Sequence, residues 1–280
     1  MAAKLQLSTT WTTLQDQPLN QDTLDQLFFN HIPSIRQKDF LSREECARMV
    51  KVVESATFGH YDPILIFPLL GTIGVTQYDY AQDMDKYFEK VEPAKDLQKR
   101  FIAEAGVDII ARVISLLQTV SDVPVRLAKE GDKEYFAGIL RVVENNYIAP
   151  HADFGPYDDV NREIGKVVGQ ITWNILLKDV PGGETLVHDR QWQGKSDDDK
   201  WRKRAPKYAY SPFVYEGRII KVLPQAEGEL TFFNSRNFHE VRNLDEWHGK
   251  VEKDKRYTIS CFVGKLPENA PGGPALILWS

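Results

Sequence analysis

The sequence predicts a mainly β protein, a barrel or jelly-roll core with helical additions, and three observations carry that prediction. After residue 134, seven short runs rich in Val, Ile, Phe and Thr are separated by glycine and polar turn signals. Before residue 133, apolar residues instead recur every three to four positions, the period of a helix face. The chain has 280 residues, 42% hydrophobic and 27% charged, which suits one elaborated domain with a sizeable core. We expect a single domain over 1–280, with helix-rich support in 1–133, the β core in 134–266 and a C-terminal tail in 267–280.

Each element has its own local signal. Ser42 followed by Glu45 makes a capping box, which predicts a helix over 43–55 through Met49, Val52 and Val53. Tyr61 to Gly71 holds two prolines among apolar residues and reads as an irregular or edge-strand segment. From Pro93 the spacing of Leu97, Phe101, Ile102, Ala105, Ile109, Ile110, Val113, Leu116 and Leu117 predicts one long amphipathic helix whose apolar face backs a sheet. The strand candidates are 136–144, 167–177, 184–188, 217–223, 229–234, 238–242 and 256–263. Gln191 to Lys207, crowded with Lys, Arg and Asp, reads as a solvated loop with the composition of a flap.

Charge and cysteine usage exclude several classes of function. The net charge is −5 with a pI near 5.8, and no Lys/Arg block is long enough to track phosphates, so nucleic acid is not an expected partner. No apolar run approaches the roughly 18 residues of a membrane span, and the first residues lack a signal-peptide pattern, so no membrane is expected and the cytoplasm is the expected location. Cys46 and Cys261, in no metal-binding spacing, read as buried apolar residues of a reducing compartment.

Chemistry concentrates in three places. Residues i and i+2 of a strand share a face, so His151 and Asp153 can approach one metal while Ala152 points away. His239, after the strand-like run from Gly228 to Arg236, offers a third ligand. Two imidazoles and a carboxylate form the facial triad that holds ferrous iron and leaves positions open for a co-substrate and dioxygen. The same ligands would also serve a zinc hydrolase, but no general-base motif accompanies them. A cupin-like protein that binds metal without turnover is the alternative from a different class.

Arg256 and Thr258 share a face of the last long strand, where a guanidinium and a hydroxyl can hold a carboxylate. His31, His60, His188 and His248 are read as non-ligands, with His188 as a rim residue or substrate contact. Phe154, Tyr157, Trp173 and Phe233 are the candidate pocket walls, and Arg141, Arg236 and Arg242 the candidate partners of a substrate carboxylate.

These residues carry a resemblance. His151-x-Asp153, Gly182-Gly183-Glu184-Thr185, Gly228-Glu-Leu-x-Phe-Phe, His239-Glu-Val and Arg256-x-Thr258 resemble the ordered landmarks of the Fe(II)/2-oxoglutarate-dependent oxygenases. Phe40 to Cys46 resembles the N-terminal helix of many members. The layout is similar to stand-alone small-molecule hydroxylases related to the N-substituted amino-acid hydroxylases and the indole-alkaloid halogenases, down to the Trp279-Ser280 ending of the halogenase type.

The resemblance implies a double-stranded β-helix supported by N-terminal helices. It implies Fe(II) on His151, Asp153 and His239, with 2-oxoglutarate and O2 as co-substrates. Arg256 and Thr258 would bind the distal carboxylate of 2-oxoglutarate, and Arg141 and Tyr147 would contact co-substrate or substrate. A carboxylate at Asp153, where related halogenases have a small residue, implies oxygen insertion or desaturation rather than halogenation. Hydroxylation of a small organic substrate, an amino-acid derivative or natural-product intermediate, is the expected reaction. The seventeen positions from His239 to Arg256 exceed the spacing of many relatives, and a charged loop over Leu244 to Asp254 would absorb the excess.

Overall fold

Two capping boxes open the N-terminal helices. Asn20 and Thr23 exchange side-chain and backbone hydrogen bonds to start α1 (Gln21–Phe28), and Ser42 and Glu45 do the same for α2 (Arg43–Glu54). The computed structural model describes residues 9–61, 70–143, 147–224, 226–244 and 255–280. Most of the stretch from Tyr61 to Gly71 and the charged loop containing His248 lie outside them.

The helical segment after Pro93 is broken where one long helix was expected. Pro93 falls in the last turn of α3 (Met84–Ala94), and α4 (Asp96–Arg100) runs into a π turn over Phe101–Ala105. Gly106, at φ 71°, takes the left-handed conformation that ends a helix, and the Asp108 side chain caps a new one, α5 (Ile109–Val120). The periodicity survives the break because Phe101, Ala105, Ile109, Val113 and Leu117 all enter the same core.

The strands are β1 (Ser34–Gln37), β2 (Gly59–His60), β3 (Gly71–Ile73), β4 (Val125–Leu127), the short hairpin β5 (Lys129–Glu130) and β6 (Lys133–Glu134), β7 (Ile139–Val143), β8 (Ile148–His151), β9 (Gly169–Leu176), β10 (Thr185–Gln191), β11 (Ile220–Leu223), β12 (Leu230–Phe233), β13 (Asn237–Val241), β14 (Arg256–Leu266) and β15 (Ala275–Trp279). All seven strand candidates overlap a strand. The larger sheet runs β1-β12-β9-β14-β7-β3-β2, with β15 beside β14 and β4 beside β15; the smaller runs β11-β10-β13-β8. Every pairing is antiparallel except β15 with β4.

Helices α1, α2 and α5 cover the outer face of the larger sheet. Ile171, Trp173 and Ile175 of β9, and Tyr257, Ile259, Cys261 and Val263 of β14, point into that helical layer. The alternate residues face inward, so both strands are buried on both sides and read as nearly unbroken apolar runs.

Two further expectations need correction. Residues 267–280 are not merely a tail: Ala275–Trp279 form a fully buried strand in register with β14, Phe262 opposite Trp279. Gln191 to Lys207 is not a solvated loop, because beyond the one-turn α6 (Gly155–Asp158) it carries α7 (Lys195–Trp201) and buries Trp192 and Asp197. Its charges are consumed internally: Arg190 pairs with Asp197 at 2.7 Å, and Asp198 accepts from Trp192 Nε1 and Arg202, each at 2.9 Å.

Candidate active site

The metal ligands meet where β13 pairs with β8, an antiparallel register that sets His239 opposite His151. Asp153 is not on the strand, as its i+2 spacing suggested, since β8 ends at His151. It is fixed by its backbone: its N–H donates to the Ser235 carbonyl at 2.9 Å, and its own carbonyl accepts from Gln170 Nε2 and Ser235 Oγ, each at 3.2 Å. The polar turn Asn234-Ser235-Arg236 thus docks the carboxylate beside the two imidazoles.

One ligand atom from each residue lies within 4.8 Å of the other two. The Asp153 Oδ2 stands 3.9 Å from His151 Nε2 and 3.7 Å from His239 Nε2. Each Nδ1 donates to a backbone carbonyl, of Ala149 at 2.8 Å and of Asn237 at 2.9 Å, which turns both Nε2 lone pairs toward the carboxylate. Burial, and then the neighbouring His151, hold the His239 imidazole well below its ordinary value and keep it neutral, as a metal ligand must be. The donor set and its orientation fit ferrous iron.

The ligands open onto a cavity of about 380 Å³ between the sheets. Arg256, Thr258 and Ser260 of β14 face it in succession, as do Thr172 and Asn174 of β9. Arg256 is 4% exposed, and burial, with the charge of Arg141 beside it, pushes its guanidinium down to about 10, against a raising influence from Glu184. Two guanidiniums thus share one wall of the cavity.

In sequence the chain is 48% identical over 217 residues to the leucinostatins biosynthesis cluster protein S of Purpureocillium lilacinum, covering 77% of this chain and 87% of that protein. The chain belongs to the family of that protein. No family model matches it. In structure it is similar to an N-substituted L-amino acid dioxygenase from Burkholderia ambifaria AMMD, with TM-score 0.58 and 15% identity, covering 92% of this chain and 91% of that one. The same enzyme in complex with alpha-KG aligns at TM-score 0.59 and 15% identity, over 92% and 90% of the two chains. The chain therefore shares the fold of that dioxygenase, and His151, Asp153 and His239 all line the cavity.

The remaining candidates divide. Phe233 is a cavity wall as expected, its ring 5.0 Å from that of His239. Trp173 is not: it alternates with the inward-facing Thr172 and Asn174, is fully buried, and packs into the helical layer. Phe154 is drawn away under Arg236, which lies 4.7 Å over its ring, and Tyr157, 44% exposed, packs on Trp192. Tyr147, also 44% exposed, does not line the cavity, whereas Arg141 does and donates to the Ser260 hydroxyl. His188 is no rim residue; it is buried under Tyr215, rings 3.5 Å apart, with Nε2 2.9 Å from Glu240.

Sequence reasoning missed Tyr208, which lines the cavity, meets the His151 ring edge-on at 5.5 Å, and accepts from the Ala149 N–H at 3.0 Å. Tyr210, two residues on, donates its N–H to the Pro150 carbonyl at 2.8 Å. The period-two pair Tyr208-Ala209-Tyr210, at the end of the charged run, was the available signal for an extended segment shoring up the first ligand. Among the described residues no helix is long and apolar enough to cross a membrane.

Proposed function

We propose that this protein is an Fe(II)- and 2-oxoglutarate-dependent dioxygenase built on a double-stranded β-helix, and that it hydroxylates a small organic molecule such as an amino-acid derivative or natural-product intermediate. The observation that carries this is one cavity lined both by three convergent ligand atoms and by the buried Arg256 with Thr258 beside it. The similarity to a biosynthetic-cluster protein and to an N-substituted amino acid dioxygenase supports the substrate class.

His151, Asp153 and His239 would hold the iron, with the carbonyls of Ala149 and Asn237 orienting the two imidazoles. Arg256 and Thr258 would hold the distal carboxylate of 2-oxoglutarate through charge-assisted hydrogen bonds. When bound, iron and 2-oxoglutarate supply the oxidising chemistry, with dioxygen converting 2-oxoglutarate to succinate and carbon dioxide as a substrate C–H bond is oxidised. Phe233 walls the metal end and limits water there. Asp153 fills with a carboxylate the place a halide would need, which favours oxygen insertion or desaturation. Purified protein should form succinate only with both Fe(II) and 2-oxoglutarate present, and His239→Ala should abolish it. Undiminished succinate in that variant would refute the ligand assignment.

A further inference from the structure

Three arginines were candidates for a substrate acid, and the structure separates them. Arg236 spends its guanidinium on the Phe154 face and on the Trp192 carbonyl, to which its Nε donates at 3.0 Å. Arg242 is exposed and away from the cavity. Arg141 lines it: β7 pairs with β14 so that Arg141 lies opposite Thr258 on the inward face.

Arg141 is left without an acid. Among the described residues no Asp or Glu lies within ion-pair distance of it, and its one hydrogen-bond partner is the neutral hydroxyl of Ser260. On the reading proposed above, 2-oxoglutarate gives one carboxylate to Arg256 and the other to the metal. That leaves the half-buried Arg141 guanidinium facing the cavity with only a neutral hydroxyl beside it, and a cation so placed is matched when a ligand brings an anion. The other charged lining groups, Asp79, Arg202 and Lys207, are exposed at the mouth, and Arg202 is already paired with Asp198.

Tyr61, whose N–H donates to the Leu70 carbonyl beside β3, is 5% exposed and lines the same cavity. It forms an apolar cluster with Leu70, Val143 and Ile148, so part of the cavity wall is hydrophobic.

We propose that Arg141 is the anchor for a carboxylate on the substrate, so that the protein acts on an organic acid and not on its neutral counterpart. This rests on the proposed function and narrows its substrate class. Arg141 thereby becomes a specificity residue rather than a 2-oxoglutarate ligand.

The test uses protein loaded with Mn(II) and 2-oxoglutarate, titrated calorimetrically with N-acetylated L-leucine, L-valine and L-phenylalanine and with their neutral primary amides. At least one acid should bind more than about tenfold tighter than its amide, the size of a charge-assisted pair. Arg141→Gln should erase that preference, and Arg141→Lys should keep part of it. The 2-oxoglutarate dissociation constant of each variant, measured first, should stay within about threefold of the parent and shows that the variant is folded. Equal binding of acid and amide, binding of no acid, or loss of 2-oxoglutarate in Arg141→Gln overturns the proposal. Failure of the parent protein to bind 2-oxoglutarate at all would instead sink the proposed function.

Discussion

At the scale of single residues, Gly183 and Arg256 act together. Gly183 sits at φ 75°, and a Cβ there would lie 2.9 Å from the Arg256 Cδ and 3.0 Å from a Leu244 methyl. Its missing side chain is the space in which the arginine lies against the strand. Gly183→Ala should therefore displace the guanidinium and raise the 2-oxoglutarate KM by about tenfold in a succinate assay, with the fold retained; an unchanged KM would show that the close approach is not needed. Arg256→Ala should raise the same constant by at least about tenfold, since hydrogen bonds to a charged group contribute roughly 1.5–3 kcal/mol. Residues of this kind were legible because period two fixes who shares a face: Arg256 with Thr258, and Phe233 away from Phe232. Trp173 was misread for the reciprocal reason, as its composition suited a pocket wall while its neighbours Thr172 and Asn174 had already claimed the inward face.

At the scale of elements, the segment after β10 is held by one carboxylate. Burial alone would raise the Asp198 carboxyl, but hydrogen bonds from Tyr210, Trp192 and Arg202 outweigh it and hold the group below the ordinary aspartate value of 3.8. A carboxyl depressed by folding contributes stability that is complete above its unfolded value and is lost as pH falls through its folded value. Acidification below about 4 should therefore loosen α7 and expose Trp192, seen as a red shift in emission that Trp192→Phe abolishes. Asp198→Asn should show the loosened state at neutral pH and melt roughly 2–4 °C lower, as for a loss of ~1 kcal/mol in a chain of this size. An unaltered acid profile in Asp198→Asn would assign the transition elsewhere. The strands and the α2 capping box could be read because their signals lie within a few residues. The break at Gly106 and the docking of α7 could not, since a left-handed glycine and an internally neutralised charge run look in sequence like helix continuation and solvated loop.

At the scale of the molecule, the site links the two sheets, so filling it should stabilise the whole fold. The candidate metal ligands come from β8, the segment just beyond it and β13 of the smaller sheet, and the proposed co-substrate wall comes from β7 and β14 of the larger one. Saturation with Mn(II) and 2-oxoglutarate at about a hundred times their dissociation constants should add roughly 2.7 kcal/mol for each ligand, several degrees of Tm, and chelation should remove it. A Tm indifferent to both would mean that the two walls do not close on a common ligand.

The sequence by itself determined the mainly β class, seven of the nine strands described after residue 134, the capped helix α2 and the choice of His151, Asp153, His239 and Arg256 as candidates. These follow from periodicity, capping and side-chain chemistry, which act over a few residues. Tertiary structure alone decided which strands are neighbours: the β13–β8 register that sets His239 against His151, the Ser235 carbonyl that captures Asp153, and the choice of Arg141 over Arg236 and Arg242. Those outcomes depend on pairings between residues tens of positions apart, where sheet register and burial decide which polar group is left facing the cavity.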